Sequence, residues 1–162
     1  MNLDRFKTAQ DNCYTQVFEE MKNGKKVSHW MWFIFPQIAG LGKSEVAKQF
    51  EIASIEDAAH YLMDEILSKR LIELTRILAY EVEGITAQEI FGFPDYLKFH
   101  SSMTLFYLVV KSKSELQNNN YYLCFEDALR KYYDGKLDTS TLDILKSTTL
   151  FTNGTPYYID EN

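Results

Sequence analysis

Only two cysteines, three prolines and three histidines occur in the 162 residues, and no apolar run approaches the length of a membrane span. Two cysteines cannot build a disulfide framework, and without an export signal Cys13 and Cys124 read as reduced, small hydrophobes on helix faces. His29, His60 and His100 form no His-Glu-x-x-His pattern and join no cysteine pair at metal spacing, so neither zinc nor another metal is expected. Basic residues are also scarce, 17 against 23 acidic for a net charge of −6. Their only concentration, Lys22-Asn23-Gly24-Lys25-Lys26, is no stripe along a phosphate backbone, which disfavours nucleic acid as a partner. The polar opening Met1-Asn2-Leu3-Asp4-Arg5 lacks the apolar core of a leader, and the expected location is the cytoplasm, with no membrane partner. Asn153-Gly154-Thr155 then reads as a turn rather than a glycosylation site.

Apolar residues are plentiful, at 46% of the chain with 15% aromatic, enough to build a core for one domain over residues 1–162. Their spacing is mostly helical. Phe6, Ala9, Cys13, Val17 and Met21 mark one amphipathic helix that Gly24 should end in a left-handed turn. Ser44 can cap a short helix ending near Phe50, and Ser54-Ile55-Glu56-Asp57 opens another. Leu67, Leu71, Leu74 and Leu78 give the clearest stripe. Thr86-Ala87-Gln88-Glu89 is a capping box before a short helix closed by Gly92, and Pro94-Asp95 starts a helix through Met103, Phe106 and Val110. After a polar break at residues 117–120, Leu123, Ala128, Leu129 and Tyr132 lie on a helix that Gly135 ends, and Asp138 or Thr139 starts the last one. The tail carries a short hairpin signal around Asn153-Gly154. The expected fold is therefore mainly α, a single compact multi-helix domain with a short C-terminal β-hairpin.

Ser28-His29-Trp30-Met31-Trp32-Phe33-Ile34-Phe35-Pro36-Gln37 gathers both tryptophans and a histidine with no formally charged side chain. Buried indole N–H groups need partners, so this decapeptide is either the centre of the core or the wall of a pocket, with His29 and Gln37 as its polar groups. A second segment, Asp95 to Thr104, puts Asp95, Lys98 and Ser102 at helical spacing on one face: a carboxylate, an ammonium and a hydroxyl able to orient a sugar or phosphate. The bland readings are a buried core segment and a capped helix with an exposed ion pair. Gly40 and Gly42-Lys43-Ser44 invite a phosphate-loop reading, but Gln37 stands where the first glycine belongs and no second nucleotide element follows. Ser101 or Ser102 with His29 and Asp95 composes a Ser-His-Asp set without the Gly-x-Ser-x-Gly elbow that would support it.

At residues 28–37, at Gly40-Leu41-Gly42 and at Ser101-Ser102-Met103-Thr104-Leu105-Phe106, the chain resembles the bacterial family called domain of unknown function 1810. The resemblance extends through Ala58, Tyr61-Leu62, Arg70-Leu71, Ile90-Phe91-Gly92, Asp95 and Lys98. Phe50 stands where tyrosine is expected, so that hydroxyl is missing here. The resemblance implies a small, mainly helical cytoplasmic domain and brings no established activity. The label calpastatin that some members carry conflicts with this composition, since a calpain inhibitor should be disordered and poor in aromatics. More loosely, the order of segments is similar to helical proteins acting on ADP-ribose and related N-glycosides.

The functional expectation is a domain or enzyme for a small nucleotide- or ribose-containing ligand, with N-glycosidic hydrolysis as the reaction to consider and no cofactor. Asp95 and His29 are the catalytic candidates, Asp95 first because a carboxylate can stabilise an oxocarbenium-like charge. Trp30, Trp32 and Phe35 would form the aromatic wall, and Gln37, Lys98, Ser101, Ser102 and Thr104 the polar contacts. The competing expectation is a non-enzymatic interaction module that uses the aromatic surface of residues 28–37, and burial of that segment separates the two.

Overall fold

The computed structural model describes residues 1–146 and 158–159. These form α1 (Asp4–Asp11), α2 (Tyr14–Lys22), α3 (Met31–Ile34), α4 (Glu45–Phe50), α5 (Ile55–Met63), α6 (Glu65–Arg76) and α7 (Ala87–Phe91). The order continues with α8 (Asp95–Ser112), α9 (Ser114–Gln117), α10 (Cys124–Tyr133) and α11 (Thr139–Leu145). A π-helical turn, Ile77–Glu81, extends α6, and a 3-10 turn, Asn120–Tyr122, precedes α10. The protein is mainly α, as expected. The hairpin around Asn153-Gly154 lies outside the described residues, next to which Tyr158 makes an isolated antiparallel bridge to Lys136.

Helix ends follow local chemistry. The hydroxyls of Ser44 and Ser54 accept from the amides of Ala47 and Asp57 at 3.1 Å each, and Thr86 with Glu89 closes a reciprocal capping box. Gly24 has φ +68°, and its amide reaches Met21 O while that of Lys25 reaches Glu20 O, the paired bonds of a left-handed helix stop. The first amphipathic stretch is not one helix: Cys13, at φ −142°, interrupts it and stands at the N-cap position of α2 without a side-chain capping bond. Apolar periodicity continues across this break because both helices lay the same side on the core, so periodicity could not reveal it.

Leu67, Leu71, Leu74 and Leu78 are each at most 1% exposed. The stripe crosses from α6 into the π turn, which is bonded from α10: Lys131 Nζ donates to Leu78 O at 2.8 Å and to Val82 O just past the turn, and the Tyr132 hydroxyl donates to Leu78 O at 2.6 Å. These bonds satisfy carbonyls that the wider turn releases.

Helix α8 runs through the middle, packed by α5, α7, α9, α10 and α11. Phe106 sits between Tyr61 and Phe125, with ring centroids 5.5 and 5.7 Å away. The helix is amphipathic only at its start, because every residue from 101 to 109 is buried. Only its two ends reach the surface, and the candidate site lies at its first turn.

Candidate functional site

Two segments meet at the start of α8. Residues 26–33 run across the first turn of the helix, and the start of α4 closes the far side. Between them lies an open cleft of about 420 Å³, lined by Lys26, His29, Trp30, Met31, Trp32, Phe33, Ser44, Val46, Asp95 and Lys98.

At its centre two ammonium groups share one carboxylate. Lys26 Nζ stands 2.8 Å from Asp95 Oδ2, and Lys98 Nζ 3.1 Å from Asp95 Oδ1. The side chains of Lys26, Asp95 and Lys98 are 7%, 18% and 21% exposed. Each ammonium also lies over an indole, Lys26 Nζ 5.0 Å from the Trp30 ring centroid and Lys98 Nζ 4.2 Å from that of Trp32. Burial of Asp95 favours the neutral acid, but hydrogen bonds from Lys26 and Lys98 and their positive charges outweigh it and hold the carboxyl below its ordinary range. Asp95 is therefore an anion at neutral pH, suited to accept hydrogen bonds or face positive charge and unsuited to donate a proton.

The wall carrying His29 and Trp30 is fixed from beneath by Glu20, which is almost fully buried. Its carboxylate accepts from the Val27 amide at 2.6 Å, the Ser28 amide at 3.0 Å, the Ser28 hydroxyl at 2.5 Å and Trp30 Nε1 at 3.0 Å. Burial alone would raise its pKa, yet the Ser28 hydroxyl, the two amides and the indole together lower it. Lys26 Nζ in turn donates to Ser28 O at 2.6 Å, which ties the ammonium to the same loop. Trp32, half-buried, rests against Gly42. A β-carbon at Gly42 would stand 2.7 Å from Trp32 Cη2 and 2.4 Å from Ala47 Cβ, so only glycine leaves room for the indole there.

The structure thus brings His29, Trp30, Trp32, Asp95 and Lys98 to one cleft, His29 on its exposed rim. It does not bring the other five expected residues there. Phe35 lies in the core between the rings of Trp30, Phe91 and Phe99. Gln37 is buried in a narrow crevice with Trp32, Gly42 and Phe50, its Nε2 lacking a hydrogen-bond partner. Ser101 Oγ bonds Asp138 Oδ2 at 2.8 Å, and Thr104 Oγ1 accepts from the Asp138 amide at 2.9 Å. Both hydroxyls hold the start of α11 rather than a ligand. Ser102 is 0% exposed and its Oγ has no partner. It shares a helix stripe with Asp95 and Lys98, but two turns along α8 that stripe is already covered.

Sequence reasoning missed Lys26, Glu20, Met31 and Val46. Lys26 belongs to the only basic concentration in the chain, a signal that could have drawn attention to it. Nothing local marks Glu20, whose partners lie on the following loop.

A second cleft of about 400 Å³, which includes Phe18, Lys22, Glu73, Arg76 and Tyr121, matches the first in size. Part of its charge is engaged within the fold: Lys22 pairs with Glu81 at 2.6 Å, the Tyr14 hydroxyl donates to Glu73, and the Arg76 guanidinium lies over the Tyr80 ring. No helix among the described residues is long and apolar enough to cross a membrane, and no group of three or more His, Cys, Asp and Glu among them could hold a metal ion.

This architecture, a buried central helix whose first turn meets an aromatic loop, defines a small helical domain with a polar-aromatic cleft. The chain belongs to the family described as protein of unknown function DUF1810, which matches residues 1–145. It is similar to the conserved hypothetical protein Rv1873 from Mycobacterium tuberculosis, known from a crystal structure. The two are 42% identical with a TM-score of 0.81, over 90% of this chain and 97% of that one. No curated protein matches the chain.

Proposed function

We propose that the cleft binds a small nucleotide- or ribose-containing molecule. The observation that carries this reading is the Lys26–Asp95–Lys98 cluster set against the half-buried Trp32 in one concave site. Stacking of a base falls to Trp32, because Trp30 is 2% exposed and its N–H is held by Glu20. Lys98 and Asp95 supply a donor and an acceptor for ribose or phosphate oxygens, and His29 reaches the ligand from the rim.

Taken as far as chemistry, the reading is N-glycosidic hydrolysis, in which ionised Asp95 faces the oxocarbenium-like charge and orients water. The two ammonium groups on Asp95 weaken it as a base and screen its charge, and they favour binding over turnover. The burial of Trp30, Met31, Ile34 and Phe35 supports a ligand site over a docking surface built on residues 28–37.

A thermal-shift series with nucleosides, nucleotides and ADP-ribose tests the proposal. A ligand at a hundredfold excess over its Kd stabilises the native state by about 2.7 kcal/mol, a rise of about 5–10 °C for a domain of this size. Lys98→Ala and Trp32→Leu should remove that rise. The absence of any shift across the series, or a full shift in both variants, would refute the reading.

A further inference from the structure

We propose that Lys26 and Lys98 form a phosphate subsite within this cleft, that Asp95 is its resident counter-ion, and that the ligand therefore carries a phosphate group. The inference rests on the reading above and narrows it from nucleosides in general to their phosphorylated forms.

Three observations carry it. First, two ammonium groups from different segments converge on one carboxylate, at 2.8 and 3.1 Å, so this trio carries one unit of positive charge toward the cleft, while the Glu20 carboxylate behind the wall is buried with its oxygens turned to Val27, Ser28 and Trp30. The chain as a whole carries −6, so this local excess opposes the average of the molecule. Second, the positive groups are held in place before any ligand arrives. The Lys26 side chain is 7% exposed, and its ammonium is fixed by Ser28 O at 2.6 Å as well as by Asp95. Holding a cation in this way removes most of the ordering cost a flexible surface lysine would incur on binding. Third, among the described residues the Lys98 ammonium has only Asp95 as a hydrogen-bond partner and lies above the Trp32 ring. It keeps N–H capacity toward the cleft, beside the ring on which a base would stack. The first turn of the eighteen-residue α8 adds the positive end of its helix dipole to the same place.

Asp95 then has two opposed effects. It gathers the ammonium groups into position, and its negative charge repels the incoming anion. Replacing it with a neutral isostere keeps a hydrogen-bonding side chain between the lysines and removes the repulsion. A unit charge about 6 Å from the anion at an effective dielectric of about 40 alters affinity about tenfold.

Inorganic pyrophosphate, adenosine and adenosine monophosphate are the probes, measured by isothermal titration calorimetry at low and at raised salt. Wild-type protein is expected to bind pyrophosphate, more weakly as salt increases, and the monophosphate at least tenfold more tightly than adenosine. Asp95→Asn should strengthen pyrophosphate binding at least tenfold, since the same Coulomb scale applies to each charge of the anion. Lys26→Met and Lys98→Met should each weaken it at least tenfold. Lys98→Met sits at the edge of the cleft and provides the test should Lys26→Met fail to fold. The subsite is refuted if Asp95→Asn, shown to fold by its melting transition, leaves pyrophosphate affinity unchanged or lowers it. Adenosine binding as tightly as its monophosphate overturns the subsite and leaves the broader ligand reading standing. Pyrophosphate binding in the expected pattern with no gain from an attached nucleoside keeps the subsite and overturns the nucleoside reading.

Discussion

Removing the Glu20 side chain should loosen one whole wall of the cleft. The carboxylate accepts four hydrogen bonds, two from backbone amides, one from a hydroxyl and one from an indole. Bonds to a charged group are worth about 1.5–3 kcal/mol each when measured singly, but their sum overstates the loss because some donors find water instead. Val27 is exposed and Ser28 half-buried, so their groups can be solvated. Trp30 is 2% exposed, and its N–H would be stranded. One buried unsatisfied donor costs about 1–3 kcal/mol, and with part of the remaining bonds Glu20→Ala should lose about 3–5 kcal/mol. Glu20→Gln keeps an oxygen for the two amides and the indole while the Ser28 hydroxyl can turn to accept, so it should lose only about 1–2 kcal/mol.

Acid distinguishes the two variants further. The folded-state pKa of Glu20 is lowered, so its contribution is complete above the unfolded carboxylate range, near about pH 4.3, and disappears as pH falls through the folded value. The stability gap between wild type and Glu20→Gln should therefore close on acidification. Urea unfolding followed by tryptophan fluorescence, at neutral pH and in acid, measures both effects. A loss below about 1 kcal/mol for Glu20→Ala, on the scale of a single ordinary hydrogen bond, would show that the carboxylate does not hold the wall.

Two further perturbations probe packing. Leu71→Ala, in the centre of the buried α6 stripe, should cost about 2–5 kcal/mol in chemical denaturation, and a value near that of a surface substitution would undo the proposed burial. Gly42→Ala places a methyl group 2.7 Å from Trp32 Cη2 and 2.4 Å from Ala47 Cβ. It should cost about 1–3 kcal/mol by overpacking and shift the near-ultraviolet signal of Trp32, with Ala47→Gly restoring part of the loss, and a neutral Gly42→Ala would show that the turn yields instead.

The elements that were legible in the sequence announced themselves locally. Ser44, Ser54 and the Thr86–Glu89 box mark helix starts through bonds within four residues, and Gly24 marks a stop through its own φ. The aromatic decapeptide and the Asp95–Lys98 turn were visible as chemistry out of place in a simple core. What sequence spacing could not supply was depth. Ser102 follows Asp95 and Lys98 in the correct helical rhythm yet is fully buried, while Ser101 and Thr104 turn to another side of α8, which α11 covers through Asp138, a residue much later in the chain. Lys26 is the converse case: ordinary in its own neighbourhood, it acquires meaning only when the fold carries it to Asp95.

The burial of α8 from Ser101 to Val109 decides how firm a floor the cleft has. A helix enclosed by five others cannot shift or tilt without disturbing the whole core, so the floor bearing Asp95 and Lys98 is stationary. Glu20 pins the neighbouring wall through residues 27–30. The remaining side, Ser44 and Val46 at the head of six-residue α4, follows a turn containing Gly40 at φ +103° and Gly42, and is held where Phe50 at the other end of α4 packs on Phe33 with ring centroids 5.2 Å apart. On the proposed reading the site is therefore preformed on all three sides, and the size of guest it would admit is set by the separation of the aromatic and α4 walls rather than by the charged residues that would hold the guest.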